Sequence, residues 1–258
     1  MHMSQGYSVL LALLFGLAAG LVGSFALMRR MLLAGDVISH LALPGLGVAF
    51  LFKVNPLLGG AATLFLGTLL IWKLQKKTGL ATEAMTGVVF AAALALGAVV
   101  TPKEDLVDAL FGGFPTLSLA GFLFGTVAVA VVIVFIVRYK DRLALGLFST
   151  DLAAVTGINV NRLNLYFLLV FSLTVLIGLQ FMGTLLASAL IIMPAAVGRQ
   201  LTNKFSHFLM VSAAVSMFSV ATGFLLNTVV VKSTTVSPII VIVSALLFAL
   251  SLVIGRKP

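Results

Sequence analysis

Apolar residues in this chain run in long, nearly continuous stretches separated by short polar or charged breaks. Nine of them are long enough, or nearly so, to cross a bilayer as a helix: approximately 7–28, 35–52, 56–72, 83–100, 116–138, 163–179, 182–198, 207–229 and 236–254. The second and third are short and rich in glycine and proline, which suits helices buried inside a bundle more than helices facing lipid. The interval from Gly178 to Gly183 is narrow, and reading its two flanks as one long tilted helix leaves eight spans. The pattern thus predicts an all-α polytopic membrane protein, 1–258 forming a single transmembrane domain with about nine spans, eight being possible. No internal repeat stands out.

Composition agrees with the pattern. Hydrophobic residues make up 61% of the 258 and charged residues 9%, against roughly 25% charged in soluble domains. The net charge of +9 would point to nucleic acid in a soluble protein, but here the basic residues sit singly or in small groups between apolar stretches, as loop charges do. No nucleic-acid partner is expected. With no cysteine, disulfides and thiolate metal sites are excluded. The first stretch lacks a basic leader and a small-residue cleavage site, so it reads as a span and not a signal peptide.

Charge placement orients the spans. If the loop around 139–162 is cytoplasmic, alternation across nine spans also puts Arg29, Arg30, Lys73, Lys76, Lys77, Arg199, Lys204, Arg256 and Lys257 inside. Joined by Arg138, Lys140, Arg142 and Arg162, they account for 13 of 16 basic residues, and only Lys53, Lys103 and Lys232 remain outside. The excess of basic residues in cytoplasmic loops then predicts an outer N-terminus and a cytoplasmic C-terminus.

Chemistry concentrates in the second stretch, which reads Gly35-Asp36-Val37-Ile38-Ser39-His40-Leu41-Ala42-Leu43-Pro44-Gly45. Ionisable groups within a membrane helix cost about 2.5–3.5 kcal/mol on insertion scales and are functional candidates by default. Asp36 and His40 stand four apart, on one helix face, and Pro44 continues the stripe. A proline cannot donate to the carbonyl four residues earlier, so that of His40 is expected to be free. A carboxylate, an imidazole and a carbonyl without soft sulfur suit Zn²⁺, Mn²⁺ or Fe²⁺. The plainer alternative is that Asp36 caps the helix after Gly35 while His40 bonds a neighbouring helix.

A second informative segment is Phe148 to Val160. Ser149 or Thr150 can cap a helix, Asp151 suits its first turn and Gly157 its C-terminal turn, predicting a short helix of about two turns that takes in Ala153 and Ala154. Such a helix on the cytoplasmic face fits a groove in a motor domain, although the segment alone reads equally as an ordinary loop helix. Pro194 is expected to kink the seventh span and free the carbonyl of Leu190, for gating or for packing. Glu83 suits a helix start; Glu104, Asp105 and Asp108 form an acidic outer cluster read as a solvated loop; His207 reads as structural. The scattered methionines read as core filling. No nucleotide-binding pattern of the form G-x-x-x-x-G-K-[ST] occurs, so any use of ATP requires another chain.

Taken together, the run from Arg30-Met31-Leu32-Leu33-Ala34-Gly35-Asp36 through Ser39-His40 to Leu43-Pro44-Gly45 resembles the hallmark of the permease subunits of zinc, manganese and iron ABC importers. Glu83 to Phe90, Leu110-Phe111-Gly112, the set Asp151, Ala153 and Gly157, and Gly183-Thr184-Leu185-Leu186 through Met193-Pro194-Ala195-Ala196 follow in the order the family shows, covering nearly the whole chain. The resemblance implies a fold related to cobalamin and siderophore importer permeases. It further implies a homodimer in a bacterial plasma membrane, cytoplasmic ATPase subunits, and an extracytoplasmic metal-binding protein that delivers the ion. It places Asp36 and His40 on the metal path and gives Thr150, Asp151, Ala153, Ala154 and Gly157 to ATPase coupling. No cofactor is expected to be held permanently; the metal is cargo. The competing class is a proton-coupled secondary transporter using Asp36 and His40 as a relay. An intramembrane metalloenzyme fits poorly, since three histidines, one of them His2, leave too few ligands for a catalytic zinc.

Overall fold

The computed structural model describes residues 2–100, 118–231 and 236–254. The acidic cluster of Glu104, Asp105 and Asp108, the Leu110-Phe111-Gly112 match, and Lys103, Lys232, Arg256 and Lys257 lie outside the described residues. Among those described, every regular element is helical.

In chain order the helices are α1 (His2–Met28), α2 (Ala34–Ser39), a 3₁₀ turn (His40–Ala42), α3 (Leu43–Leu51), α4 (Pro56–Thr78), α5 (Thr82–Val100), α6 (Leu119–Phe148), α7 (Thr150–Val155), α8 (Val160–Met182), α9 (Thr184–Leu201), α10 (Phe205–Leu226), a π turn (Asn227–Val231) and α11 (Ser237–Ile254). Among the described residues, six helical stretches are long and apolar enough to cross a membrane, within α1, α4, α6, α8 and α11 and from α10 into the π turn, while 34–49, 82–97 and 185–201 form shorter apolar segments.

Residues apolar on all sides of a helix seek its burial. Accordingly α1 lies at the centre, against α6, α8, α9 and α10, with Leu11, Phe15, Val22 and Phe25 sealed from solvent. Close approach is set by glycine: a methyl on Gly23 would stand 2.0 Å from the carbonyl oxygen of Ile191 in α9. Without hydrophobic drive between helices in lipid, such backbone-to-backbone packing is a main source of association. Gly183, at φ +83°, turns the chain from α8 into α9, while Gly178 remains inside α8 against Ala187 and Phe15. The narrow interval therefore separates two helices, and one long tilted helix is ruled out.

Two expectations need correction. Of the short glycine-rich stretches, α3 buries Gly45, Gly47 and Ala49, but α4 lies at the periphery of the chain, with Leu58, Leu66, Leu69 and Leu70 exposed. The glycines of α4 serve contact and not enclosure, since a methyl on Gly59 would lie 2.3 Å from the Gly45 carbonyl. The loop expected from 139 is also shorter, because α6 continues as helix to Phe148. Nothing in Tyr139 to Leu145 breaks a helix, and the Tyr139 ring sits under both Arg138 and Arg142, their guanidinium carbons 6.0 and 5.7 Å from its centre.

Candidate functional site

Asp36 and His40 are held by different neighbours. A methyl added to Gly35 would lie 3.4 Å from the Phe171 ring and 3.7 Å from Ile191. Phe171 is the middle residue of α8, so α2 starts deep within the bundle and not at its end. Asp36 itself is exposed on the surface of the single chain, and its Oδ1 accepts a hydrogen bond from Ser188 Oγ of α9 at 3.2 Å. Its backbone carbonyl accepts from Ser39 Oγ at 2.6 Å. His40 is half-buried and turns toward α5, its ring 5.6 Å from that of Phe90 at an interplanar angle of 52°.

The expected free carbonyl is not there. Residues 40–42 tighten into a 3₁₀ turn, and the Leu43 N–H bonds the His40 oxygen that Pro44 cannot reach. Pro44 then falls in the first turn of α3, where a missing N–H costs little. The proline marks a helix break, and the donor set contributed by this segment reduces to the carboxylate and the imidazole. Among the described residues no three His, Cys, Asp or Glu side chains gather as a metal cluster. Ser188 and Phe90 were not singled out in the sequence. A serine inside an apolar helix is the weak signal for the first, and Phe90 closes the Glu83–Phe90 match.

The expected short helix forms as α7. Ser149 Oγ accepts from the Leu152 N–H at 3.2 Å, and Gly157, at φ +76°, ends the turn while Ile158 N–H reaches the Ala153 carbonyl at 2.9 Å. Ala153 is buried against the bundle, whereas Phe148, Leu152 and Val155 are 75%, 59% and 87% exposed, and Asp151 and Ala154 face outward with them. The helix presents an apolar tip that no described residue covers. Pro194 lies inside α9, which runs unbroken past it, with Leu190, Ile191 and Ala195 fully buried. Glu83 stands exposed in the first turn of α5, and His207 is exposed near the start of α10.

The loops around Arg29, Lys76, Asn161 and Arg199 meet at one end of the bundle, the end that carries α7. Trp72 Nε1 donates to the Asn161 carbonyl at 3.1 Å, Asn164 Nδ2 to Gln75 Oε1 at 3.0 Å, and Arg29 Nη1 to Asn164 Oδ1. Three cavities open there, of about 510, 410 and 390 Å³, and none is lined by Asp36 or His40.

A multi-pass helical membrane protein with one ionisable pair and one exposed loop helix has the architecture of a transporter's membrane subunit. Comparison with known proteins makes this specific: the ABC 3 transport family model matches residues 4–255, and the chain belongs to that family as an ABC transporter permease. Among curated relatives, the high-affinity zinc uptake system membrane protein ZnuB of Haemophilus influenzae is 29% identical, over 93% of this chain and 95% of that protein. The manganese transport system membrane protein MntC of Halalkalibacterium halodurans is 30% identical, over 95% and 85%. The solved structure of PsaBC from Streptococcus pneumoniae in complex with Fab shares the fold at a TM-score of 0.82 and 24% identity, covering 98% of this chain and 92% of that one.

Proposed function

We propose that this chain, as one permease domain, is the membrane subunit of an ATP-driven importer for divalent transition-metal ions, zinc, manganese or iron, working as a homodimer in a bacterial plasma membrane. The observation that carries the reading is Asp36: a carboxylate at mid-depth of the bundle, exposed on the surface of the single chain. Facing lipid there is costly, and such groups face a water-filled cavity or a protein partner. A second copy across that surface encloses a passage between the two chains, with Asp36 and His40 on its wall. Two ligands per chain leave the coordination shell of a passing ion incomplete, so binding stays weak enough for release. The relatives' names, a zinc uptake protein and a manganese transport protein, agree with cargo of this class.

Power comes from outside the chain. The exposed tip of α7, from Thr150, Asp151, Ala153 and Ala154 to the Gly157 turn, seats in a cytoplasmic ATPase subunit and passes its closure to α6 and α8. Pro44 marks where α2 and α3 part and Pro194 a point at which α9 can flex during gating, and an extracytoplasmic binding protein delivers the ion to the other end. Nine spans, with 34–49, 82–97 and 185–201 crossing alongside the six longer helices, put the N-terminus outside and the C-terminus inside. Supporting this, the loops that the charge rule sends to the cytoplasm converge at the α7 end.

Zinc, manganese and iron measured together in cells lacking the chain test the cargo, with at least one expected to fall. Asp36→Ala and His40→Ala are expected to lower uptake of that metal at least tenfold at unchanged protein level; undiminished uptake in both removes the pair from the path.

A further inference from the structure

Arg29 follows the last residue of α1 and turns inward. Its Nη1 donates to Asn164 Oδ1, its guanidinium carbon lies 4.4 Å from the centre of the Phe167 ring, and its Nε is sealed from solvent with no hydrogen-bond partner among the described residues. Among the described residues it makes no ion pair. Burial with no carboxylate to offset it pushes the guanidinium pKa down to about 10. An arginine in such surroundings usually has a bidentate anion, because an uncompensated buried charge is among the costliest features a fold carries.

Beside it opens a cavity of about 410 Å³, lined also by Gln75, Thr82, Asn161 and Asn164. The lining includes no acidic residue. Asn164 passes the arginine's hydrogen bond on to Gln75 Oε1, which leaves the Gln75 amide nitrogen, the Asn161 side chain and the Thr82 hydroxyl without partners among the described residues. One cation and several neutral donors thus line a space far larger than a halide ion. A planar carboxylate uses two oxygens, whereas a phosphate offers oxygens in several directions to donors arriving from α4, α5, α8 and the α1–α2 loop.

We infer that this cavity binds an oxyanion of the phosphate class, free phosphate or the phosphate of an anionic lipid headgroup, held by Arg29 with Gln75, Asn161 and Asn164. The location gives the site consequence. Gly146 and Leu147 on one wall and Val160 and Asn161 on another are the two roots of the α7 segment, and Arg29 leads within seven residues to Asp36. An anion here braces the roots of that segment against the loop that carries the ionisable pair. Binding itself does not rest on the transport reading, and its test uses no transport measurement.

The test is thermal unfolding of the purified, delipidated full chain in detergent, with sodium phosphate against sodium chloride at equal ionic strength. It is repeated in nanodiscs of phosphatidylcholine with and without phosphatidylglycerol. The expected result is a saturable rise of about 3–6 °C at tenfold the dissociation constant with at least one probe. Phosphate alone acting assigns the free anion; phosphatidylglycerol alone acting assigns the lipid headgroup. Arg29→Gln should lose the rise. Asn164→Asp, which supplies Arg29 with an internal counter-charge, should also lose it while unfolding no lower than wild type in chloride, and it decides the matter if the Arg29 variant does not fold. No rise with either probe, or an equal rise in Asn164→Asp, overturns the assignment; the former would hold if an acidic side chain of a partner protein fills the cavity instead.

Discussion

Pro44 and Pro194 each remove one rung from the hydrogen-bond ladder of an apolar segment, but the two segments respond differently. Around Pro44 the chain divides into α2, a 3₁₀ turn and α3; around Pro194, α9 continues as one helix from Thr184 to Leu201. Neighbours account for the difference. α9 is gripped along its length by α1, α10 and α11, with Leu190, Ile191 and Ala195 sealed, so it stays helical past the missing donor. Both halves of the other segment touch α5, but α2 packs otherwise on α8 and α9 while α3 packs on α4, so the remaining partners change between them. The break falls where those allegiances change. It leaves Asp36 bonded to α9 through Ser188, and His40 beside Phe90 on the peripheral side. A proline in a membrane helix is thus a permission to bend, and packing decides whether it is used.

The contrast can be broken most severely by forcing α1 from α9. Gly23→Leu drives its side chain into the Ile191 backbone, which cannot yield as a flexible side chain would, and a cost of about 3 kcal/mol or more is expected. The predicted result is loss of monodisperse protein after detergent extraction; recovery of well-folded protein would show that α9 does not depend on that contact. A milder change strikes the other exposed element. Gly157→Val imposes a β-branched side chain at φ +76°, costing about 1–2 kcal/mol, and should weaken association with the ATPase about tenfold while the bundle unfolds at its usual temperature. Smallest of all are the prolines themselves. Pro194→Ala should raise stability by up to about 1 kcal/mol by restoring a donor for Leu190. Pro44→Ala should change it by less than about 0.5 kcal/mol, since position 44 lies in a first turn. Equal thermal shifts for the two would contradict the distinction drawn between them.

How much of this was legible beforehand follows from the same physics. Long apolar runs announce helices because a bilayer tolerates little else, and the cap at Ser149 marks where α7 begins. Ser149, Asp151 and Gly157 predicted α7 because capping is local chemistry. What failed was whatever depended on a neighbour. Glycine in α4 reads as burial until α3 is seen crossing it, and the basic run after 138 reads as a loop because charge says nothing about where helix geometry stops. The carbonyl of His40 was assigned from α-helical geometry, which the 3₁₀ turn abandons. Asp36 and His40 were found as ionisable groups in apolar surroundings, but Ser188 is 152 residues from Asp36 and carries no mark of its role. Arg29 counted only as a loop charge, although its environment makes it the least ordinary cation in the described chain.

On the proposed reading, an ionisable pair on the surface of each chain forms a metal path which another protein powers. Accumulation of radioactive zinc or manganese in proteoliposomes tests it most directly, comparing the purified chain alone with the chain assembled with its ATPase, ATP and binding protein. No accumulation is expected from the chain alone, ATP-dependent accumulation from the assembly, and loss of it in an assembly carrying Asp36→Ala and His40→Ala together. Metal accumulating through the unaided chain, or undiminished through the double variant, would contradict it.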